Sequence, residues 1–73
     1  MNVTVSVDKG KAFGIMDRTI ITGEVDGHTV YTATKTGDSW EFNLAGQYTN
    51  EKERVVAIQE AMAQVHEKVQ EIG

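Results

Sequence analysis

The chain has no cysteine and no proline, and only two of its 73 residues are histidines. Without cysteine it can form no disulfide, no thiolate metal site and no thiol redox motif. Two histidines are too few for a convincing zinc site, so we expect no metal and no cofactor. Domains below about 70–80 residues usually depend on a disulfide, a metal or oligomerisation. Oligomerisation is the one of these that the sequence leaves open.

The sequence also lacks long apolar stretches and an excess of positive charge. Its longest wholly apolar run, Val55 to Ile58, is far shorter than the ~20 residues that cross a bilayer, so we expect no membrane segment. Residues 1–4 do not resemble a secretory signal, and we expect a cytoplasmic protein. The net charge of −4 argues against duplex DNA as a partner, because Lys and Arg carry most of that affinity.

No catalytic pattern is visible. There is no Ser/His/Asp set, no carboxylate pair in apolar surroundings, and no glycine-rich phosphate loop. A domain this small also leaves little room for a substrate pocket of the usual ~300 Å³ or more. We therefore predict no catalytic residues and no enzymatic activity.

The first part of the chain has the pattern of β-strands. Val3 and Val5 alternate with polar residues, which is typical of a half-buried strand. Asp26-Gly27 suits both central positions of a type I′ hairpin turn. We predict an antiparallel meander of four to five short strands, at about 2–7, 11–16, 18–25, 28–35 and 39–44, with a turn at 8–11.

The strand pattern also predicts two sheet faces. A two-residue turn at Asp26-Gly27 would pair Thr22 with Tyr31 and Gly23 with Val30. One face, the predicted core, then carries Ile20, Thr22, Tyr31, Ala33, Trp40, Phe42 and Leu44. The other face combines aliphatic residues with threonine, which favours either a protein-binding surface or an ordinary solvated face. The residues predicted to bind a partner there are Ile21, Val25, His28, Val30, Thr32 and Thr34.

The last part of the chain has the pattern of one amphipathic helix, at about 50–72. Its apolar residues are spaced three and four apart, which places them in one seam: Val55, Ile58, Met62, Val65, Val69 and Ile72. A helix of ~22 residues is about 33 Å long, whereas a six-residue strand spans about 20 Å. We therefore expect the helix to overhang the sheet. The exposed seam would form a homodimer through Met62, Val65, Val69 and Ile72.

These patterns predict a single α+β domain, residues 1–73, in which an antiparallel sheet packs on one C-terminal helix. This layout is similar to that of small dimeric single-strand-binding domains of the transcriptional coactivator type, and to the three-strand-plus-helix DNA-binding domains of some integrases. The leading hypothesis is a small protein-binding accessory or inhibitor protein, phage-like in size and charge. The alternatives are a single-stranded nucleic-acid-binding domain, with the aromatic residues as a stacking platform, and a structural subunit of a larger assembly.

Overall fold

Four antiparallel strands and one helix make up the part of the chain that the computed structural model describes, residues 2–12, 14–45 and 52–72. The elements are β1 (Val3–Ala12), β2 (Met16–Val25), β3 (His28–Thr36), β4 (Ser39–Leu44) and α1 (Lys52–Ile72). The strands lie in the order β1-β2-β3-β4. The predicted α+β meander with one C-terminal helix is therefore confirmed. The first two residues of the predicted helix, 50 and 51, lie outside the described residues.

The predicted division of the first strands is wrong. A turn was expected at residues 8–11, with a separate strand at 11–16. Instead β1 continues through this segment, with Asp8 opposite Ile20 and Lys11 opposite Asp17. The turn comes later, at Gly14, which has a φ of 74°. Pairing with β2 gives alternate residues of this segment backbone hydrogen-bond partners, so residues 8–11 stay extended despite their turn-like composition.

The two later hairpins follow the sequence signals. Asp26 and Gly27 have φ angles of 51° and 81°, as a type I′ turn requires. At the next hairpin Thr36 lies opposite Ser39, so Gly37 and Asp38 form the turn. Gly37 has a φ of 61° and Asp38 is not among the residues with positive φ, which is the pattern of a type II′ turn.

A β-bulge between Gly23 and Glu24 changes the predicted pairing of β2 with β3. The prediction placed Tyr31 opposite Thr22, but the structure places Tyr31 opposite Gly23. A one-residue change of register moves side chains to the other face of a sheet. Val30 is the extra residue on β3, and it therefore lies on the same face as its neighbour Tyr31, since both are buried.

The bulge corrects the predicted assignment of the two faces. Ile21, Val25 and Val30 were expected on the face away from the helix. They are 0% exposed and lie in the hydrophobic core with the helix residues. The straight register would have left these three aliphatic side chains in water, and the bulged register buries them together. Tyr31 and Ala33 do share a face with Trp40, Phe42 and Leu44, as predicted.

The helix α1 packs mainly on β2, and also on β3 and β1. Its buried residues are Ala57, Ile58, Ala61 and Val65. A Cβ atom on Gly23 would lie 2.9 Å from Cγ2 of Val65, so the helix approaches the sheet closely at this glycine. Val55, the first residue of the predicted seam, is 38% exposed.

The expected overhang of the helix is also wrong. The strands β1 and β2 have 10 residues each, and a strand of that length spans about 33 Å. The helix has 21 residues and is about 31 Å long, so helix and strands match in length. Val65, one of the four residues predicted at a dimer interface, is 0% exposed within its own chain.

The helix leaves one edge of the sheet uncovered. An α-helix is about 10 Å wide and strands lie about 4.8 Å apart, so one helix covers roughly two strands fully. Centred on β2, it does not reach across β4. Phe42 and Leu44 were predicted to be core residues, but they are 41% and 47% exposed. Trp40 is half-buried and packs against the edge of the core.

Candidate interaction surface

The uncovered strand β4 presents three large apolar side chains, Trp40, Phe42 and Leu44, on the face that carries the helix. They alternate along the strand, so they form a single row beside α1. His66, from the helix, stacks on Phe42 with the ring centroids 5.0 Å apart. We call these four residues the β4 surface.

Aromatic rings form a ladder along this surface. The rings of Trp40 and Phe42 are 6.3 Å apart with an interplanar angle of 16°. Those of Phe42 and Tyr31 are 6.2 Å apart, at 18°. Near-parallel aromatic pairs at this spacing contribute about 0.5–1.5 kcal/mol beyond their buried area. Each exposed ring therefore has a stacking neighbour within the chain before any partner binds.

His66 connects the β4 surface to the core. Its Nε2 lies 3.0 Å from the hydroxyl of Tyr31, within hydrogen-bonding distance. The Tyr31 ring is buried at 6% exposure, and this burial raises the pKa of its phenol above the ordinary value. One edge of the His66 ring thus lies against the hydroxyl of Tyr31, and the face of the same ring covers Phe42.

The charges around the β4 surface are unevenly distributed. Nζ of Lys35 lies 5.8 Å from the centre of the Trp40 ring, which is a cation–π distance. On α1, the side that carries His66 is formed by successive residues spaced three and four positions apart. Its members, none of which is acidic, are Lys52, Val55, Gln59, Met62, Ala63, Val69 and Gln70. The glutamates at positions 60, 67 and 71 lie on other sides of the helix.

The structure separates the residues that were predicted to bind a partner on the sheet. Ile21, Val25 and Val30 lie under the helix and cannot contact another molecule without unfolding. Thr32 and Thr34 lie on the opposite face of the sheet and are half-exposed. His28 lies at the exposed tip of the β2–β3 hairpin, opposite Val25.

The predicted dimer seam is largely used within the chain. Val65 is fully buried, and Met62, Val69 and Ile72 are partly buried against the core. The seam residues therefore bind the helix to its own sheet, and only their edges face solvent. Burial removes Val65 from the predicted interface, whereas a dimer contact through the edges of Met62, Val69 and Ile72 stays a prediction.

Two signals could have identified the β4 surface from the sequence. One helix covers roughly two strands fully, so a four-stranded sheet must leave an edge uncovered. Gly23, an isolated glycine within a predicted strand, marks where the helix approaches the sheet. Together they place the helix near β2 and expose β4. The role of His66 depends on its contact with Tyr31, 35 positions away, and no local pattern predicts it.

The described residues offer few other sites. Across residues 2–12, 14–45 and 52–72 there is no pocket, and no group of three His, Cys, Asp or Glu residues could hold a metal ion. Within the same residues, no helix combines the length and apolarity needed to cross a bilayer.

Comparison with known proteins gives no relative. No protein-family model, no curated protein and no solved structure matches the chain. The surface chemistry is therefore the basis for assigning a function.

Proposed function

We propose that this protein is a small, non-enzymatic accessory or inhibitor protein that binds another protein through its β4 surface. The observation that supports this proposal is the exposure of Phe42 and Leu44, at 41% and 47%, on the helix side of the sheet. Large apolar side chains in one continuous row are typical of surfaces that a partner covers. Scattered single apolar residues would not support the same conclusion.

The stacked arrangement of the aromatic rings also supports the proposed binding role. Trp is strongly enriched among the residues that dominate binding energy at protein interfaces, and the β4 surface contains Trp40. Binding normally costs about 0.5–1.5 kcal/mol for each side chain that must be immobilised. Stacking between Trp40, Phe42 and His66 already restricts these rings in the free protein. A partner would therefore gain apolar contact at a low cost in entropy.

A binding role also fits what the described residues contain. The β4 surface is a row on an open sheet edge, with no pocket that could exclude water from a reaction. Its polar residue His66 and the neighbouring Lys35 both contact aromatic rings. This arrangement favours contact with a complementary surface over chemistry on a small substrate.

The test compares two aspartate substitutions at exposed apolar residues. Leu44→Asp places a charge in the β4 surface. Ile15→Asp is the control, because Ile15 is 83% exposed in the β1–β2 turn. Partners captured from the source cell by wild type are identified, and each affinity is then measured by calorimetry. We expect Leu44→Asp to weaken binding at least about 30-fold, equivalent to ~2 kcal/mol, and Ile15→Asp to bind normally.

Two further measurements complete this test. Circular dichroism must show that both variants keep the wild-type fold. If the captured partner is an enzyme, its rate with and without the protein tests the inhibitor role directly. Equal affinity of wild type and Leu44→Asp for every partner would contradict the proposal.

A second candidate function, binding of single-stranded nucleic acid, is favoured by the same ring ladder. Exposed aromatic rings can stack on bases, with about 1–3 kcal/mol per base. Lys35 beside Trp40 and the absence of acidic residues on the His66 side of α1 add local support. The net charge of −4 favours the protein-binding role instead.

The chain has one tryptophan, so intrinsic fluorescence reports on Trp40 alone. A nucleic-acid-binding role predicts that oligonucleotides quench this fluorescence and that the affinity falls steeply with salt. Unchanged fluorescence with oligothymidylate and oligouridylate at low salt would eliminate the second candidate.

A further inference from the structure

The sheet has two edge strands, and only one of them is protected against pairing. The exposed edge strand β1 carries Asp8, Lys9 and Lys11. Charged residues, lysine above all, are a common device that prevents edge strands from pairing with other chains. The strand β4 has one charge, Glu41, and no lysine, no proline and no register shift against β3. Among the described residues no strand pairs with the free edge of β4, which is therefore open to another strand.

The turn between β3 and β4 determines which backbone groups face this edge. Thr36 and Ser39 flank a two-residue turn, which makes them a hydrogen-bonded pair. Because such pairs alternate along an antiparallel ladder, Glu41 and Asn43 also bond to β3. The N–H and C=O groups of Trp40, Phe42 and Leu44 therefore point outward, away from β3.

We propose that a second copy of this chain pairs with this edge, β4 against β4, in antiparallel orientation about a two-fold axis at Phe42. The inference goes beyond the proposed function and does not depend on it. The outward N–H and C=O groups of one β4 can bond only to the outward groups of the other. At least two of the three outward residues, Trp40, Phe42 and Leu44, find such partners when the two-fold axis passes through Glu41, Phe42 or Asn43.

The charges and side chains favour the axis at Phe42. An axis at Glu41 would place the two Glu41 carboxylates directly opposite each other, which is destabilising. An axis at Asn43 would leave both Trp40 residues without an apolar partner. With the axis at Phe42, Trp40 lies opposite Leu44 of the second copy, and Glu41 lies opposite its Asn43. This register joins two rows of apolar side chains into one and uses all three outward residues.

The size of the core supports a second copy as the occupant. The core of the described residues contains only nine buried side chains, four of them large and fully buried. With no cysteine in 73 residues, oligomerisation is the stabilising device that remains. A two-fold β4 pair would close the open edge and extend the sheet to eight strands. Its interface differs from the predicted helix seam, which the chain uses internally.

The experiment introduces single cysteines into a chain that has none. In the Phe42-centred register, Glu41 and Asn43 of the second copy form a non-hydrogen-bonded pair with Cα atoms about 4.5 Å apart, which suits a disulfide. Each residue lies about 7–8 Å from its own symmetry mate, which is too far. Both side chains are on the face away from the helix, so neither substitution removes an apolar contact.

We expect a mixture of Glu41→Cys and Asn43→Cys to give about tenfold more disulfide-linked dimer under mild oxidation than either variant alone. Sedimentation of wild type should give twice the 8.0 kDa mass of one chain. A monomer at every concentration, or a mixture that links no better than the single variants, would overturn the proposal. So would species that keep growing with concentration, which would indicate head-to-tail pairing of β4 with β1.

Discussion

Gly23 on β2 and Val65 on α1 are in such close contact that a Cβ atom on the glycine would lie 2.9 Å from Cγ2 of the valine. The same atom would lie 3.4 Å from both Cβ and the carbonyl oxygen of Ala61. The helix thus rests on the backbone of β2 at this point. This contact determines which strands the helix covers, and therefore which strand remains exposed.

The first prediction concerns this contact. Gly23→Ala should lower the free energy of unfolding by about 1–3 kcal/mol, because the helix or the Val65 side chain must move. Gly10→Ala is the matched control, since nothing lies within 4 Å of a Cβ there and its φ is not positive. We expect that control to change stability by less than about 0.5 kcal/mol. Urea unfolding of both variants gives the comparison, and equal stabilities would show that the helix is not seated on Gly23.

The second prediction tests whether Val65 is the cause. Val65→Ala removes two methyl groups from a fully buried side chain and should cost about 1.5–3 kcal/mol. It also removes the nearest atom that a Cβ on Gly23 would meet. The double variant should therefore be more stable than the sum of the two single effects predicts, by at least about 0.5 kcal/mol. If the effects of the two single variants simply add, the cost of Gly23→Ala does not come from its contact with Val65.

Most elements of this fold, apart from the division between β1 and β2, could be predicted from the sequence because their signals are local. The alternation from Ser39 to Leu44 and the spacing of Ile58, Met62 and Val65 each depend on a few neighbouring residues. Gly23 is a local sign of a bulge or a close backbone approach, but no local pattern identifies Val30 as the extra residue. The bulge forms because one register leaves Val30 and its aliphatic neighbours in water and the other buries them under a helix more than 20 positions away.

The candidate surface could be predicted only in part, for the same reason. The shared face of Trp40, Phe42 and Leu44 follows from strand alternation and was predicted correctly. Their exposure depends on where the helix lies across the sheet. That position is set by Gly23 and by the bulge, both of which involve contacts between distant parts of the chain.

The third prediction concerns the alkaline stability of the protein. Burial raises the pKa of the Tyr31 phenol, so the folded state holds this proton more tightly than the unfolded state. The contribution of Tyr31 to stability is therefore complete below the unfolded pKa of about 10 and is lost as the pH rises through the folded pKa. In wild type, the free energy of unfolding measured from pH 8 upward should decline above about pH 10. The decline should be smaller in Tyr31→Phe.

The titration of Tyr31 can be observed directly. The chain has two tyrosines, and Tyr48→Phe leaves only Tyr31 to absorb as tyrosinate near 295 nm. An absorbance midpoint in the folded protein at or below that of the urea-unfolded protein would contradict the prediction.

The fourth prediction concerns His66. His66→Ala removes the ring that stacks on Phe42 and the group that lies 3.0 Å from the Tyr31 hydroxyl. A stacked pair and a hydrogen bond each contribute about 0.5–1.5 kcal/mol, so the total loss should be roughly 1–3 kcal/mol. Gln70→Ala is the control, because Gln70 is exposed one helical turn further along α1. Thermal unfolding of both variants measures the difference in stability. A His66→Ala protein as stable as the control would show that the contacts of this ring do not stabilise the fold.

The last prediction distinguishes the bulged register from the straight one. In the straight register Val30 lies on an open face, and Val30→Asp would leave the fold intact. In the bulged register its side chain is 0% exposed, and an aspartate there would be a buried charge with no partner. We expect Val30→Asp to cost about 3–5 kcal/mol or more, enough to unfold a domain with a total stability of roughly 5 kcal/mol. Thr29→Asp, at an exposed neighbouring position, should fold normally. Circular dichroism and the dispersion of amide proton chemical shifts show whether each variant folds. A folded Val30→Asp protein would favour the straight register, in which Val30 lies on an open face.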